Sequence, residues 1–360
     1  MHFNTHTFRS AMLGSAGAVA VCLAMPLGAQ SNQSTVTQTG DDNETTITQI
    51  GSDNSSDVTQ SGTVGLIFLD QDGTNNSSVI NQSSIATDPS IFAGIDVIQT
   101  GSDNVSVVDQ FGTYDDVSMP STVNGNRLPP SSPSLVVNQD GTGNSSFITQ
   151  GGIDSTTLVL QSGDGNDSTI LQGGENSGPA VFQFGNGNTA LAVTEIDNFA
   201  LNVGFIRQFG DNNSATFQRD GSTGDLTGSA ADQGIFIIPL DIQQFGAFNT
   251  VNATQSGHDD LAFITQIGAG NVSTSVQAAG GDSNTLTVLQ EGLNGQSNIF
   301  QAGTDNNALL TQVGEDNFSG IAQDGLANLA TVTQGGIGDI SNVTQTGSNN
   351  TATVNQSVTP

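Results

Sequence analysis

The chain has 360 residues, 34 of them acidic against four basic, and a formal charge of −30. Such a surface repels phosphate backbones, so nucleic acid is excluded as a partner. A single cysteine rules out an internal disulfide framework and a cysteine-based zinc cluster, and 34% apolar residues with no tryptophan and one tyrosine make a thin ordinary core.

The first predicted element is a leader over 1–29. Arg9 is basic, Ala11 to Leu27 is an apolar run of small residues, and Leu-Gly-Ala ends at Ala29. This pattern predicts a secretory signal peptide cut between Ala29 and Gln30. The run is too short to read as a membrane span. Cys22 lies inside it, and Val21 is a poor fit for the residue before an acylated cysteine. Beyond the leader only Arg127, Arg207 and Arg219 face the 34 acidic residues, and no cysteine remains.

From residue 30 one phrase returns every eleven residues: Asn, five residues, Gln, one residue, Gly. It begins as Asn32 to Gln38, Asn43 to Gln49 and Asn54 to Gln60. Further on it reads Asn104 to Gln110, Asn144 to Gln150 and Asn166 to Gln172. It closes with Asn306 to Gln312, Asn317 to Gln323, Asn328 to Gln334 and Asn350 to Gln356. Within a copy, every second residue runs Asn, small, aliphatic, Gln, as in Asn43, Thr45, Ile47, Gln49. That alternation is the mark of a strand with two different faces. The Gln-x-Gly-x-x-Asn link supplies residues that tolerate the positive φ of a tight turn. The predicted fold is all-β: a β-solenoid of stacked strand-turn-strand repeats, eleven residues each, around a two-sheet cross-β core. Asn and Gln share a face with Val and Ile. They belong there because stacked amides satisfy one another, whereas a lone buried amide is costly. These twenty Asn and Gln residues are the expected structural ladder.

Insertions interrupt the 30–360 solenoid at about 83–95, 113–133 and 220–231. The second carries Pro120, Pro129, Pro130 and Pro133, which a central strand does not accept. Near Thr194 one copy lacks its Gln. The first copy starts at Asn32 and the last ends at Gln356, so no capping segment is expected. Bare rung edges predict polymerisation.

The chemistry of an enzyme is missing. His258 is the one histidine after the leader, in a turn, and no nucleophile, base or metal set accompanies it. No catalytic residue, cofactor or metal is expected. Two rival readings stay open. A calcium-stabilised β-roll would use oxygen-rich turns such as Gly163 to Asn166 and Asp70 to Gly73. A monomeric secreted β-solenoid binding protein, an adhesin or an ice-binding protein, would use outward threonines such as Thr46 and Thr48. Outward residues vary from copy to copy more than inward ones, which favours self-stacking.

The copies Asn43-Glu44-Thr45-Thr46-Ile47-Thr48-Gln49-Ile50-Gly51 and Asn328-Leu329-Ala330-Thr331-Val332-Thr333-Gln334-Gly335-Gly336 resemble the curlin repeat of curli fibre subunits, the bacterial functional amyloids. The resemblance covers almost everything after Asn32 apart from the insertions. It implies a secreted structural subunit that self-assembles into extracellular, cell-surface fibres for biofilm matrix and adhesion. The implied partners are other copies of itself, a second curlin-like subunit and the secretion machinery of the outer membrane. By the same resemblance the ladders drive assembly, and Asp41, Asp42, Asp53, Asp103, Asp164 and Asp316 in turns are candidate gatekeepers that slow it. The chain departs from the family in its length, its acidity and its proline-bearing insertions.

Overall fold

In the computed structural model the described residues are 9–12, 19–24, 31–86, 93–114, 122–123, 126–127, 135–152, 155–174, 177–195, 202–220, 240–257, 259–278 and 282–357. They form an all-β, two-sheet parallel β-solenoid with no helix among them. The chain divides into two compact units, Met1–Gly178 and Pro179–Pro360, built on one plan.

In the first unit successive repeats alternate between two sheets. One sheet holds Gln33–Gln38, Ser55–Gln60, Ser77–Ala86, Val105–Tyr114, Ser145–Gln150 and Asp167–Gln172. The other holds Glu44–Ser52, Gly65–Thr74, Ala93–Ser102, Leu135–Thr142 and Thr157–Asp164. All these pairs are parallel, with Gln49 beside Gln71, Gln71 beside Gln99, Gln99 beside Gln139 and Gln139 beside Gln161. Two strands therefore make one turn of the coil, and equivalent residues lie 22 apart where nothing is inserted. At insertions the spacing grows to 28 and 40 while Gln stays beside Gln. Register is thus set by the inward pattern, since a one-residue slip would turn every Gln and Ile outward.

The second unit repeats the scheme. One sheet holds Thr189–Glu195, Ser214–Asp220, Thr250–Gln255, Val272–Gln277, Gln296–Thr304, Phe318–Leu326 and Ile340–Ser348. The other includes Asn202–Phe209, Leu240–Ala247, Leu261–Ala269, Thr285–Leu293, Asn307–Glu315, Leu329–Gly335 and Thr351–Ser357.

The core is a column of aliphatic side chains between the sheets. Val58, Ile80, Val97, Ile148, Ile206, Ile264 and Leu310 are fully buried. One rung departs from the usual sizes: Phe217 takes the aliphatic position, and its ring lies against Gly204 of the facing sheet. A Cβ built on Gly204 would stand 2.6 Å from Phe217 Cζ. The outward face carries its own ladder, with Phe184, Phe209 and Phe245 stacked at centroid distances of 5.3 and 5.1 Å. Cross-strand aromatic pairs of this kind reinforce a sheet from its solvent side. Arg207 beside them pairs with Asp241 at 3.1 Å.

Turn chemistry explains the repeating glycine. Gly268 has φ +118°, and a Cβ there would meet the Gly292 carbonyl oxygen at 1.9 Å, because the next rung's glycine lies directly above. The residue two after the turn glycine adopts a left-handed conformation, as at Asp53, Asp103, Asn294 and Asp316. Asn and Asp are the side chains that accept that region most readily.

Of the leader, Arg9–Met12 and Val19–Ala24 run parallel to Gln33–Gln38 and Glu44–Ser52; the remainder of 1–29 lies outside the described residues. Residues 87–92 of the first insertion also lie outside them. In the second, Thr122–Val123 pairs antiparallel with Asn126–Arg127 and the stretches around it are outside. Residues 221–239, which include all of the third insertion at about 220–231 except Asp220, lie outside the described residues as well, as does His258.

Candidate functional site: the buried amide ladders

Period-two alternation points each Gln inward at the end of its strand, where the rung below and the rung above both present another Gln. In the first unit Gln38 Nε2 donates to Gln60 Oε1 at 2.8 Å. Gln60 donates to Gln82 and Gln82 to Gln110, each at 2.7 Å, and Gln110 to Gln150 at 3.5 Å. In the facing sheet Gln49, Gln71, Gln99, Gln139 and Gln161 are linked at 2.8 to 2.9 Å. The second unit carries a longer run: Gln208, Gln244, Gln266, Gln290, Gln312, Gln334 and Gln356 are linked at 2.8 to 2.9 Å. Gln301 to Gln323 and Gln323 to Gln345 follow at 3.0 and 2.9 Å. The second N–H crosses the core to a backbone carbonyl, as from Gln49 to Gln33 at 3.0 Å and from Gln312 to Gln296 at 3.0 Å. A primary amide thus spends both donors and its acceptor away from water, which removes the desolvation cost. Near the end of the first unit the pattern loosens. Gln172 accepts from Thr157 Oγ1 at 2.6 Å, and Gln150 donates to the Ser155 carbonyl.

Asn works differently from Gln. The backbone N–H of Asn54 donates to Asn32 Oδ1, and Asn54 Oδ1 accepts from the N–H of Asn76, both at 3.0 Å. Its Nδ2 donates to the carbonyls of Ile50 at 2.9 Å and Gly73 at 3.1 Å. Asn144, Asn306 and Asn328 repeat this bonding between rungs, with Nδ2 on Gly163, Gly325 and Gly347. Asn104 and Asn166 donate their N–H groups to Asn76 and Asn144. Asn317 Oδ1 accepts from Asp339 N–H and Asn43 Oδ1 from Gly65 N–H. Asn350, part-buried, donates to Asn328 Oδ1 at 2.9 Å. The Asn column thus also runs side chain to side chain, as from Asn306 to Asn284 at 3.1 Å and from Asn328 to Asn306 at 2.9 Å, and in addition locks each turn's backbone to its neighbours.

One stretch of the second unit breaks the pattern. Thr194, Arg219 and Gln255 occupy successive Gln positions in register, and Asp260 occupies an Asn position. Arg219 is 3% and Asp260 1% exposed. Asp260 keeps half of the asparagine's role, its Oδ1 accepting from Asn284 N–H and Nδ2 at 2.9 and 3.1 Å. Among the described residues Arg219 Nη1, Thr194 Oγ1 and Asp260 Oδ2 have no partner. Burial lowers the Arg219 pKa to about 10, opposed by Asp260 and Asp259. Burial also raises the Asp260 carboxyl to about 6, opposed by the Asn284 hydrogen bonds, by Arg219 and by Gly257 N–H. Counting six residues onward from Asn213, the Asn-to-Gln spacing of the repeat, would have found Arg219, and counting six back from Gln266 would have found Asp260.

A raised carboxyl pKa means the folded chain holds that proton more tightly than the unfolded one. Asp260's contribution is therefore full below the ordinary carboxylate value and lost as pH rises through about 6. Thermal melts of wild type and Asp260→Asn at pH 4.5 and 7.5 check this. The substitution should raise the transition more at pH 7.5, and an equal shift at both values would refute it.

Of the turn aspartates, Asp42, Asp53, Asp103 and Asp316 stand in the left-handed region. Asp164 accepts from Thr142 N–H at 3.1 Å, and Asp41 bridges to Thr63.

Residues 30–62 and 303–336 match the curlin associated repeat. Curlin repeats thus stand at two positions in the chain, one in each compact unit. The repeat marks a structural, non-enzymatic family whose proteins self-assemble and are extracellular. No curated protein matches the chain.

Proposed function

We propose that this curlin-repeat chain is an exported subunit that polymerises rung upon rung into extracellular, curli-like amyloid fibres serving biofilm matrix and adhesion. One observation carries the reading. The Gln ladders run from Gln255 and from Gln208 to Gln345 and Gln356, in strands that, among the described residues, pair on one side only, with Phe318–Leu326 and Leu329–Gly335. Each of these two glutamines gives one N–H to a backbone carbonyl, of Leu329 and Ile340, which leaves one for a further rung. A strand of Gln33–Gln38 type and then one of Glu44–Ser52 type would continue both sheets with matched inward residues. Removal of the leader 1–29 frees those two strands from Arg9–Met12 and Val19–Ala24. Unpaired edges with satisfied ladders below them recruit further strands. The twenty ladder residues have no catalytic part in this scheme. The outer-membrane secretion machinery and a second curlin-like subunit are its partners outside the homopolymer.

The test uses residues 30–360 released from denaturant, with and without calcium, followed by a dye and then by fibre diffraction. Self-seeded growth, indifferent to calcium, with reflections near ~4.7 Å and ~10 Å is the expected result. A stable soluble β-rich monomer would favour a binding solenoid instead, and folding that requires calcium would favour a β-roll.

A further inference from the structure

Two side-chain contacts that the coil completes within itself are half made at the rung of Ile340–Ser348 and Thr351–Ser357. The first belongs to the Asn column, which in the second unit reads Asn213, Asn249, Asn271, Gly295, Asn317 and Asp339. Asp339 gives its N–H to Asn317 Oδ1 at 2.9 Å, but its Oδ2 is buried and has no partner among the described residues. At an Asn position of the facing sheet the same residue type is met by an Asn one rung on. There Asp260 accepts from the N–H and Nδ2 of Asn284 at 2.9 and 3.1 Å. The second contact joins left-handed turn residues. Asn294 donates to Asp316 of the next rung at 3.0 Å, and Asn75 to Asp103 at 2.5 Å. Asn349 has the same conformation, with φ 57°, and its side chain is exposed.

Both halves find their complement on the rung of Gln33–Gln38 and Glu44–Ser52. Set one rung beyond Ile340–Ser348 and Thr351–Ser357, these strands bring Asn32 to Asp339 and Asp42 to Asn349. Val36 and Gln38 then meet Val343 and Gln345, and over residues 32–50 no carboxylate stands directly opposite another. This edge accepts strands: Arg9–Met12 and Val19–Ala24 of the leader already run parallel along it.

We infer that a second copy joins end to end in one register, fixed by its Asn32 on Asp339 and its Asp42 on Asn349. A carboxylate only accepts hydrogen bonds, so Asp339 suits a residue that presents both an N–H and an amide, while Asn349 supplies the donor that Asp42 needs. The contact is between two different surfaces, and such a heterologous joint extends without closing, into a filament with distinct ends. The inference rests on the polymer reading and gives that polymer its joint. On this account Asp42 directs assembly rather than slowing it.

The experiment is seeded elongation of residues 30–360, followed by a dye, beside urea melts of the soluble chain. Asn349→Asp sets a carboxylate against Asp42 of the next copy and should slow elongation about tenfold, since like charges in apposition are costly. Adding Asp42→Asn to the same chain restores the pair with its sense reversed, and elongation should return to within about twofold of wild type. Asp339→Ala should slow growth too, whereas Asp339→Asn, which keeps an acceptor, should not. Residues 42 and 349 are exposed, so melts of their variants should match wild type, which separates loss of the joint from loss of folding. Elongation unchanged in Asn349→Asp or in Asp339→Ala, or slowing that Asp42→Asn does not relieve, overturns the joint and leaves polymerisation standing. Absence of any fibre from wild type overturns polymerisation and the joint with it.

Discussion

Gln312→Ala is expected to destabilise the second unit by about 3 kcal/mol and to lengthen the lag before fibre growth, although only one of many ladder residues is lost. The cost comes from its neighbours. Gln290 Nε2 loses its acceptor and Gln334 Oε1 its donor, at 2.8 Å on either side, and both residues are 0% exposed. A buried polar group left unpaired costs roughly 1–3 kcal/mol, and the emptied space adds a cavity cost. Gln356→Ala removes the same side chain at a half-open position with one ladder neighbour, Gln334. That change should stay within about 0.5 kcal/mol, as exposed substitutions do. Urea melts of the two variants decide between a ladder effect and a composition effect, since equal losses would remove the ladder as the cause. Gln312→Glu is sharper still. A carboxylate can accept from Gln290 but has nothing to donate to Gln334 Oε1 unless protonated. This variant should be more stable in acid than at neutral pH, and a variant insensitive to pH would count against the donor chain.

The second large effect is expected at Phe217. Phe217→Ala should cost about 3–5 kcal/mol, because the ring fills a site whose surroundings are small. Ala192, Ala215 and Ala253 are buried around it, and Gly204 faces it. Gly204→Val in the wild-type background should cost about 1–3 kcal/mol by overpacking, since the added Cβ meets the ring at 2.6 Å. Combining Phe217→Val with Gly204→Ala should recover part of the loss, as the facing sheet then fills the space the ring gives up. A double-mutant cycle reads this coupling as a positive deviation from additivity. Strict additivity would show that ring and glycine are not packing partners.

Much of the architecture was legible in the order of residues. An eleven-residue period, Gln in phase with Val and Ile, and Gly in most turns imply alternating strands with one buried amide-bearing face. These properties belong to single strands and turns, where side-chain direction follows from backbone geometry alone. The turn glycine was equally readable, although its cause is a contact: at Gly268 the oxygen of the next rung occupies the place of a Cβ.

Tertiary structure decided which atoms each buried group meets. Asn and Gln both bond side chain to side chain along their columns, as Gln312 does to Gln334 and Asn306 to Asn284, yet Asn306 also accepts the backbone N–H of Asn328 and ties the carbonyls of Ala302 in its own turn and Gly325 in the next. Arg219 and Asp260 became a fault in the ladder only once their strands were placed in register, with spacings of 36 residues across the third insertion in the facing sheet. Phe217 against Gly204 and Phe300 beside Ala322 are likewise invisible along the chain. Period and alternation determine the face a residue takes; the partner it finds depends on register between segments 22 to 40 residues apart, which the stacking of the whole coil sets.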